Sequence, residues 1–166
     1  MAAKQANMPT PRKNTNNTFL PVDDQAGINL PAGDASPDAI QSEKITAFND
    51  CDFARTMGMH ITRAHDGYAR VEMDCTGKCS PRMVAHGGAI FSLADQAFGI
   101  AANCGSTERV AVSVHIQYIA PARGALVAIA ERISDNGTCD TYRVMVHEGS
   151  RVVAEFEGVA FRVSPE

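Results

Sequence analysis

The segment Ala89–Cys104, AIFSLADQAFGIAANC, constrains the fold of this chain more than any other. It is rich in alanine, free of proline, and carries one charged residue, Asp95. Alanine has the highest helix propensity, so the segment is predicted to be a helix, buried almost all round and ending near Gly105. At about 100° per residue, Ser92, Asp95, Gln96, Gly99 and Asn103 fall on one narrow stripe, and the other positions are Ala, Ile, Leu, Phe or Cys. No Lys or Arg stands three or four residues from Asp95 to pair with it. A carboxylate among apolar side chains is costly unless it is paired or its pKa shifts. Asp95 is therefore expected at a cleft or a subunit interface, as a base or a nucleophile. The plainer alternative is a stripe that faces water, with Asp95 merely solvated.

His86-Gly87-Gly88 precedes this helix. Two residues without side chains let a ligand approach the backbone closely. The first N–H groups of a helix lack partners and carry positive partial charge, which suits an oxyanion or a polarised carbonyl. Gly87 and Asp95 are eight residues apart, or about 12 Å of helix rise. A nucleophile and an oxyanion donor must both lie about 3 Å from one reacting centre. Asp95 thus cannot serve the Gly87 amide of its own helix, and a site using both takes them from two subunits about a two-fold axis. Gly99, on the same stripe, is small enough to allow close approach of the two helices.

Around this helix the pattern predicts further elements. Ser36-Pro37 offers a helix start, and apolar residues then recur to Ala54, with Gly58 as the terminating residue. Met59–Arg63 and Tyr68–Asp74 read as strands across an Asp-Gly turn. After the buried helix come strand patterns at 110–118, 125–133, 141–148 and 151–163, with turn signals at Asp135-Asn136-Gly137 and Gly149-Ser150. The four are expected to run as an antiparallel meander. The fold class is α+β, one antiparallel sheet with a helix on one face. Residues 1–38 hold five of the eight prolines and few large hydrophobes, and read as a proline-rich N-terminal arm; 39–166 form the folded domain.

Charge and cysteine content remove several classes of function. The net charge is −4, with no Lys/Arg cluster, so no nucleic-acid partner is expected. No apolar run approaches the roughly 18 residues of a membrane span. The first residues lack the apolar core of a secretory signal, and Pro9 and Pro11 disfavour the helix of a transit peptide. The five cysteines are odd in number and form no C-x-x-C pair, which suits reduced thiols in the cytoplasm, with no metal and no cofactor.

The run His86-Gly87-Gly88-Ala89-Ile90-Phe91-Ser92-Leu93-Ala94-Asp95 resembles the hotdog-fold acyl-CoA thioesterases, in particular the PaaI-type group of phenylacetate pathways. Val112-Ser113-Val114, Tyr118-Ile119-Ala120-Pro121-Ala122 and Val152–Gly158 are similar to the same family, and the resemblance spans about residues 40 to 163. It implies a long helix wrapped by a curved antiparallel sheet, assembled as a homodimer and commonly as a dimer of dimers. It implies hydrolysis of acyl- or aryl-CoA thioesters. Asp95 matches the catalytic carboxylate, Gly87 the amide that polarises the thioester carbonyl, and His86 the orienting histidine of the motif. Ser113 matches a position near the catalytic water in some members. Where the family often has Asn or Gln, six residues before the histidine, this chain has Ser80. Gly88, Gln96, Phe91 and Arg123 are the further candidates for substrate contact, with Phe98 and Met83 beside Phe91 as apolar pocket residues and Arg151 and Lys78 beside Arg123 for the CoA phosphates. His115 is expected to be a satisfied structural residue. Two alternatives stay open: a non-catalytic acyl-CoA-binding or regulatory hotdog protein, and a hotdog hydratase or dehydratase. The Gly-Gly in place of an H-F-P-type motif argues against the second.

Overall fold

A computed structural model of the chain describes residues 37–163. The arm read at 1–38 lies outside the described residues, except for its last two, which open the first helix. Helix α1 spans Pro37–Asp50 and α2 spans Asp52–Met57. The single helix expected here is broken at Cys51, whose backbone turns extended (φ −63, ψ 144) and whose Sγ caps α2 by accepting from the Ala54 N–H. Gly58 ends α2 in the left-handed conformation, as expected.

Strands β1 (Met59–His65) and β2 (Tyr68–Met73) form the hairpin, and α3 follows as Gly87–Asn103. Strands β3 (Arg109–Tyr118), β4 (Leu126–Asp135), β5 (Cys139–Glu148) and β6 (Arg151–Arg162) complete one antiparallel sheet in the order β1-β2-β4-β5-β6-β3. Only β4, β5 and β6 run as a meander, which corrects the expectation for four strands. The tight turn signals stand between β4 and β5 and between β5 and β6. The longer link 119–125 lets β3 cross to the far edge and pair with β6.

Alternation decides which sheet face is buried. Ala69, Val71 and Met73 of β2, Ala128 and Ala130 of β4, Tyr142, Val144 and Val146 of β5, and Phe156 of β6 are all buried on the face that α3 covers. From α3 they meet Ile90, Leu93, Ala94, Ala97, Phe98 and Ala101. The many alanines let the helix lie close to the sheet. Phe98 packs its ring over Gly158, where an added Cβ would stand 2.9 Å from the ring. Strand β3, which with β1 forms the two edges of the sheet, differs from the rest in its apolar exposure: Val112, Val114 and Tyr118 along it are exposed.

Helix α3 is anchored at its C-terminal end by an ionic cluster. Arg109, at the start of β3, donates to the α3 carbonyl of Ala102 (2.8 Å) and places its Nε 2.6 Å from Asp140 Oδ2, an ion pair off the ideal hydrogen-bond line. Arg132 and Arg162 also reach Asp140, at 3.4 and 3.3 Å.

Candidate active site

His86 begins the site. Its backbone is extended (φ −65, ψ 137), and its Nδ1 accepts the Gly88 N–H at 2.9 Å, so the side chain is the N-cap of α3. That bond makes Nδ1 the unprotonated nitrogen of the neutral ring. Gly88 is thereby explained: an added Cβ would meet His86 Nδ1 at 3.1 Å, and its N–H is taken by the cap. The N–H groups of Ala89 and Ile90 are taken as well, by the His86 carbonyl. The Gly87 N–H has no acceptor among the described residues. It is the one first-turn donor of α3 left for a ligand.

Gly87 lines an open cleft of about 290 Å³ with Ala85, Ile90, Tyr118, Ile119, Ala120 and Pro121. The walls are mostly apolar, as a pocket for an acyl chain or a carrier arm requires. Three of the residues expected to supply such walls lie elsewhere. Phe91 is half-buried against Phe156 (ring centroids 5.8 Å), Phe98 is core, and Met83 is exposed on its loop with φ 56. Helical direction is the reason: Phe91 and Phe98 point to the sheet with the other apolar residues of α3. The apolar wall comes instead from Ile90 and from the end of β3 and its link to β4. Tyr118, Ile119 and Pro121 were not picked as site residues, although the segment containing them carried part of the resemblance.

Asp95 is exposed midway along α3 and, among the described residues, has no hydrogen-bond or ion-pair partner. Burial by the apolar surface beside it pushes its carboxyl above the ordinary range. Desolvation is the single cause, since no cation offsets it.

The polar stripe on which Asp95 lies is divided in use. Ser92 Oγ donates to its own helix at Gly88 O (2.8 Å). Gln96 Nε2 donates to the Phe48 carbonyl of α1 (3.0 Å), so this candidate substrate contact instead fastens α1 to α3. Gly99 lies under the Phe48 ring, with an added Cβ 3.4 Å away, and Asn103 bonds both backbone groups of Arg109. The close approach that Gly99 permits is therefore to α1, not to a second α3. Asp95 and the N-terminal half of the stripe stay uncovered.

The remaining candidates scatter. Ser80 stands in the loop before α3, in a tight turn closed by Ser80 N to Val84 O at 2.7 Å. Its hydroxyl is buried and has no hydrogen-bond partner among the described residues. Ser113 pairs with Val159 on β6, beside a bulge at Val112. Its neighbour Val114 pairs with Gly158, which lies under Phe98 of α3, so alternation turns Ser113 to the opposite sheet face. Ser113 thus does not join the α3 residues of its own protomer. His115 is also on that face, exposed and opposite Glu157, which corrects the reading of it as a satisfied structural histidine. Arg123 is exposed two residues beyond Pro121 of the cleft. Its backbone N–H and that of Gly124 bind Glu148, and with Arg151 they hold that carboxyl down to about 2. Arg151 is engaged with Glu148 and with Pro121 O, and Lys78 Nζ with Asp74 O, so among the described residues Arg123 is the one of these three cations whose side chain has no partner. Among the described residues no three His, Cys, Asp or Glu side chains are grouped to hold a metal. No described helix is long and apolar enough to cross a membrane.

A family model described as the thioesterase superfamily matches residues 83–153, from the loop before α3 into β6. The acyl-coenzyme A thioesterase PaaI of Escherichia coli is 31% identical over 114 residues, which are 66% of this chain and 81% of that protein. The chain belongs to the thioesterase superfamily, in its PaaI-type group. Solved structures agree with this thioesterase in fold. The PaaI protein of the E. coli phenylacetic acid degradation operon superposes with a TM-score of 0.71 at 25% identity, covering 78% of this chain and 97% of that one. A mutant of the phenylacetic acid degradation protein PaaI from Thermus thermophilus superposes at 0.65 with 29% identity, covering 68% and 100%. The hotdog fold expected from the His86–Asp95 run is the fold of this thioesterase.

Proposed function

We propose that this thioesterase hydrolyses acyl- or aryl-CoA thioesters to the free acid and CoA, with Asp95 supplying the base or nucleophile and the N-terminus of α3 polarising the carbonyl. One observation carries the reading. The same helix holds an N–H without an acceptor in an apolar cleft and a carboxylate without a partner. The free Gly87 N–H supports an oxyanion donor, because a tetrahedral intermediate puts negative charge on the former carbonyl oxygen. The rise of α3 keeps Asp95 about 12 Å from that donor within one protomer. The reading therefore includes a homodimer in which Asp95 of one subunit serves Gly87 of the other. The unpaired edge β3, with exposed Val112 and Val114, supports such an assembly, and a dimer of dimers is its extension.

Two routes share these parts. In one, an Asp95 oxygen attacks the carbonyl carbon and CoA leaves as thiolate, giving a mixed anhydride that water opens. In the other, Asp95 takes a proton from water, the hydroxide adds to the carbonyl, and collapse expels CoA thiolate, which recovers the proton. The unbonded hydroxyl of Ser80 is available to the water or the carbonyl. Arg123 beyond the cleft suits a CoA phosphate. His86 keeps its ring fixed as the cap, which supports an orienting role rather than proton transfer. The cysteines also fit a reducing cytoplasm: all five are unpaired thiols.

Turnover of a panel of acyl- and aryl-CoAs, followed with a thiol reagent, tests the activity. Binding without turnover would identify a non-catalytic acyl-CoA-binding protein instead. The composite site has its own test. Asp95→Asn and Gly87→Val homodimers should each be nearly inactive. Mixed and exchanged at equal amounts, they should regain about one quarter of wild-type activity, since half of the dimers are hybrids with one intact site of two. No recovery in verified hybrids would place both residues outside a shared site. Alone, Gly87→Val should lower kcat/KM by about 10²–10³-fold, because it obstructs the donor N–H. An added Cβ there meets Tyr118 Cζ at 3.3 Å, so melting is measured beside rate. An unchanged rate would remove the helix terminus from the mechanism.

A further inference from the structure

Gly87 lies where an oxyanion donor must be held still, yet glycine has the least restricted backbone of any residue. Its neighbours on the N-terminal side are fixed by backbone bonds: Ala85 N to Ala122 O at 2.7 Å and His86 N to Lys78 O at 2.8 Å. On the other side, Gly88 N is fixed on His86 Nδ1. One side chain of the sheet completes the set. Tyr118, the last residue of β3, donates its hydroxyl to the Gly87 carbonyl at 3.1 Å. Its ring lies over the Gly87 Cα, with Cζ 3.3 Å from where a Cβ would stand.

We infer that Tyr118 is a positioning residue for the thioester hydrolysis: by holding the Gly87 carbonyl and covering the Gly87 Cα it restricts rotation at Gly87, so that the N–H on the other side of that Cα keeps the oxyanion direction. This rests on the reading of Gly87 as the donor. The ring also forms one wall of the cleft that the carbonyl enters. Tyr118 is 54% exposed, so the side chain is not needed to fill the core. A single hydrogen bond at that exposure contributes little to folding, while a donor held off line loses catalysis steeply. The hydroxyl acts when the carbonyl becomes an oxyanion. Its loss should therefore appear in kcat and not in substrate binding.

The test is Tyr118→Phe, with Tyr118→Ala beside it, in the full-length protein. Tyr118→Phe removes the hydroxyl and keeps the wall. It should lower kcat about tenfold with KM and melting temperature nearly unchanged. Tyr118→Ala removes the wall as well, so it should lower kcat at least as far and raise KM. Two inhibitors separate positioning from packing. A trifluoromethyl ketone analogue of the thioester, which binds as a tetrahedral adduct, should weaken by the same factor as kcat/KM in Tyr118→Phe. A non-hydrolysable thioether analogue should bind as before. Wild-type kcat in Tyr118→Phe overturns the inference, and so does equal weakening of both inhibitors. Gly87→Val tells the two failures apart. If it is inactive while Tyr118→Phe is normal, only the role of Tyr118 falls; if Gly87→Val is itself fully active, the donor reading falls first.

Discussion

Asp95→Asn should lower kcat by about 10²–10⁴-fold, the usual loss for a general base, and by no less if the carboxylate is the nucleophile. Asparagine keeps the shape of the side chain and removes its charge and basicity. The residue is exposed and unpartnered, so the fold does not depend on it. Desolvation by the apolar surface beside it holds its carboxyl above the ordinary value of 3.8, so the acid limb of the wild-type pH–rate profile should have its midpoint above that value. The sign for stability follows from the same shift. A carboxyl whose folded pKa is raised binds its proton more tightly in the folded state, so ionisation counts against the fold as pH rises through the unfolded pKa. Asp95→Asn should accordingly melt no lower than wild type at neutral pH, and its advantage should vanish in acid. Steady-state kinetics with melting curves at neutral and acid pH check both statements. Near wild-type kcat in the variant would remove Asp95 from catalysis.

The opposite result is expected at the other end of the helix. Asp140 is fully buried, and it stands among the guanidinium groups of Arg109, Arg132 and Arg162 and the Tyr142 hydroxyl. Arg109 is itself 3% exposed in its side chain. Replacing an entire buried ion cluster by apolar groups is often neutral, but removing one partner leaves buried charge without compensation. Asp140→Asn should therefore cost about 3–5 kcal/mol, read from denaturant midpoints. Asp135→Asn, at a carboxylate 41% exposed that also pairs with Arg162, should change stability by less than about 1 kcal/mol. Under conditions where Asp140→Asn remains folded, its kcat should stay close to wild type, because the cluster holds the C-terminal end of α3 and the Gly87 N–H lies at the N-terminal end. An Asp140→Asn midpoint matching that of Asp135→Asn would show that the cluster is not a keystone of the fold.

The elements of this chain were legible because each has a local signal. An alanine-rich run gave α3 to within two residues at its start and one at its end. Asp66-Gly67 and Asp135-Asn136-Gly137 marked two hairpins, and Gly58 marked the end of α2. What was not legible depends on contacts distant in sequence. The place of β3 beside β6 has no turn to announce it, because the link from β3 to β4 is long enough to cross the sheet. The break at Cys51 needs one extended residue inside a helical pattern. In the site, the positive character of the α3 N-terminus and the choice of Gly87 as candidate donor came from helix geometry and the motif, and the structure adds that the neighbouring N–H groups are occupied. Gln96 and Gly99 shared a stripe with Asp95, but no sequence period shows that α1 would cover them. Tyr118 lies 31 residues from its partner Gly87, and only the folded sheet brings the two together.

The continuous helix α3 also limits how a gene for this protein can vary in length. Substitutions on its outer side alter one side chain at a time. Inserting a single codon between Gly88 and Asp95 would turn one end of the rod by about 100° relative to the other and lengthen it by about 1.5 Å. The carboxylate would then leave the open side or the amide would leave the cleft, since both cannot keep their directions. The Ala–Phe register against β5 and β6 would slip by the same step. The interval from Gly87 to Asp95 is therefore a stretch whose length is fixed by the directions its two ends must keep.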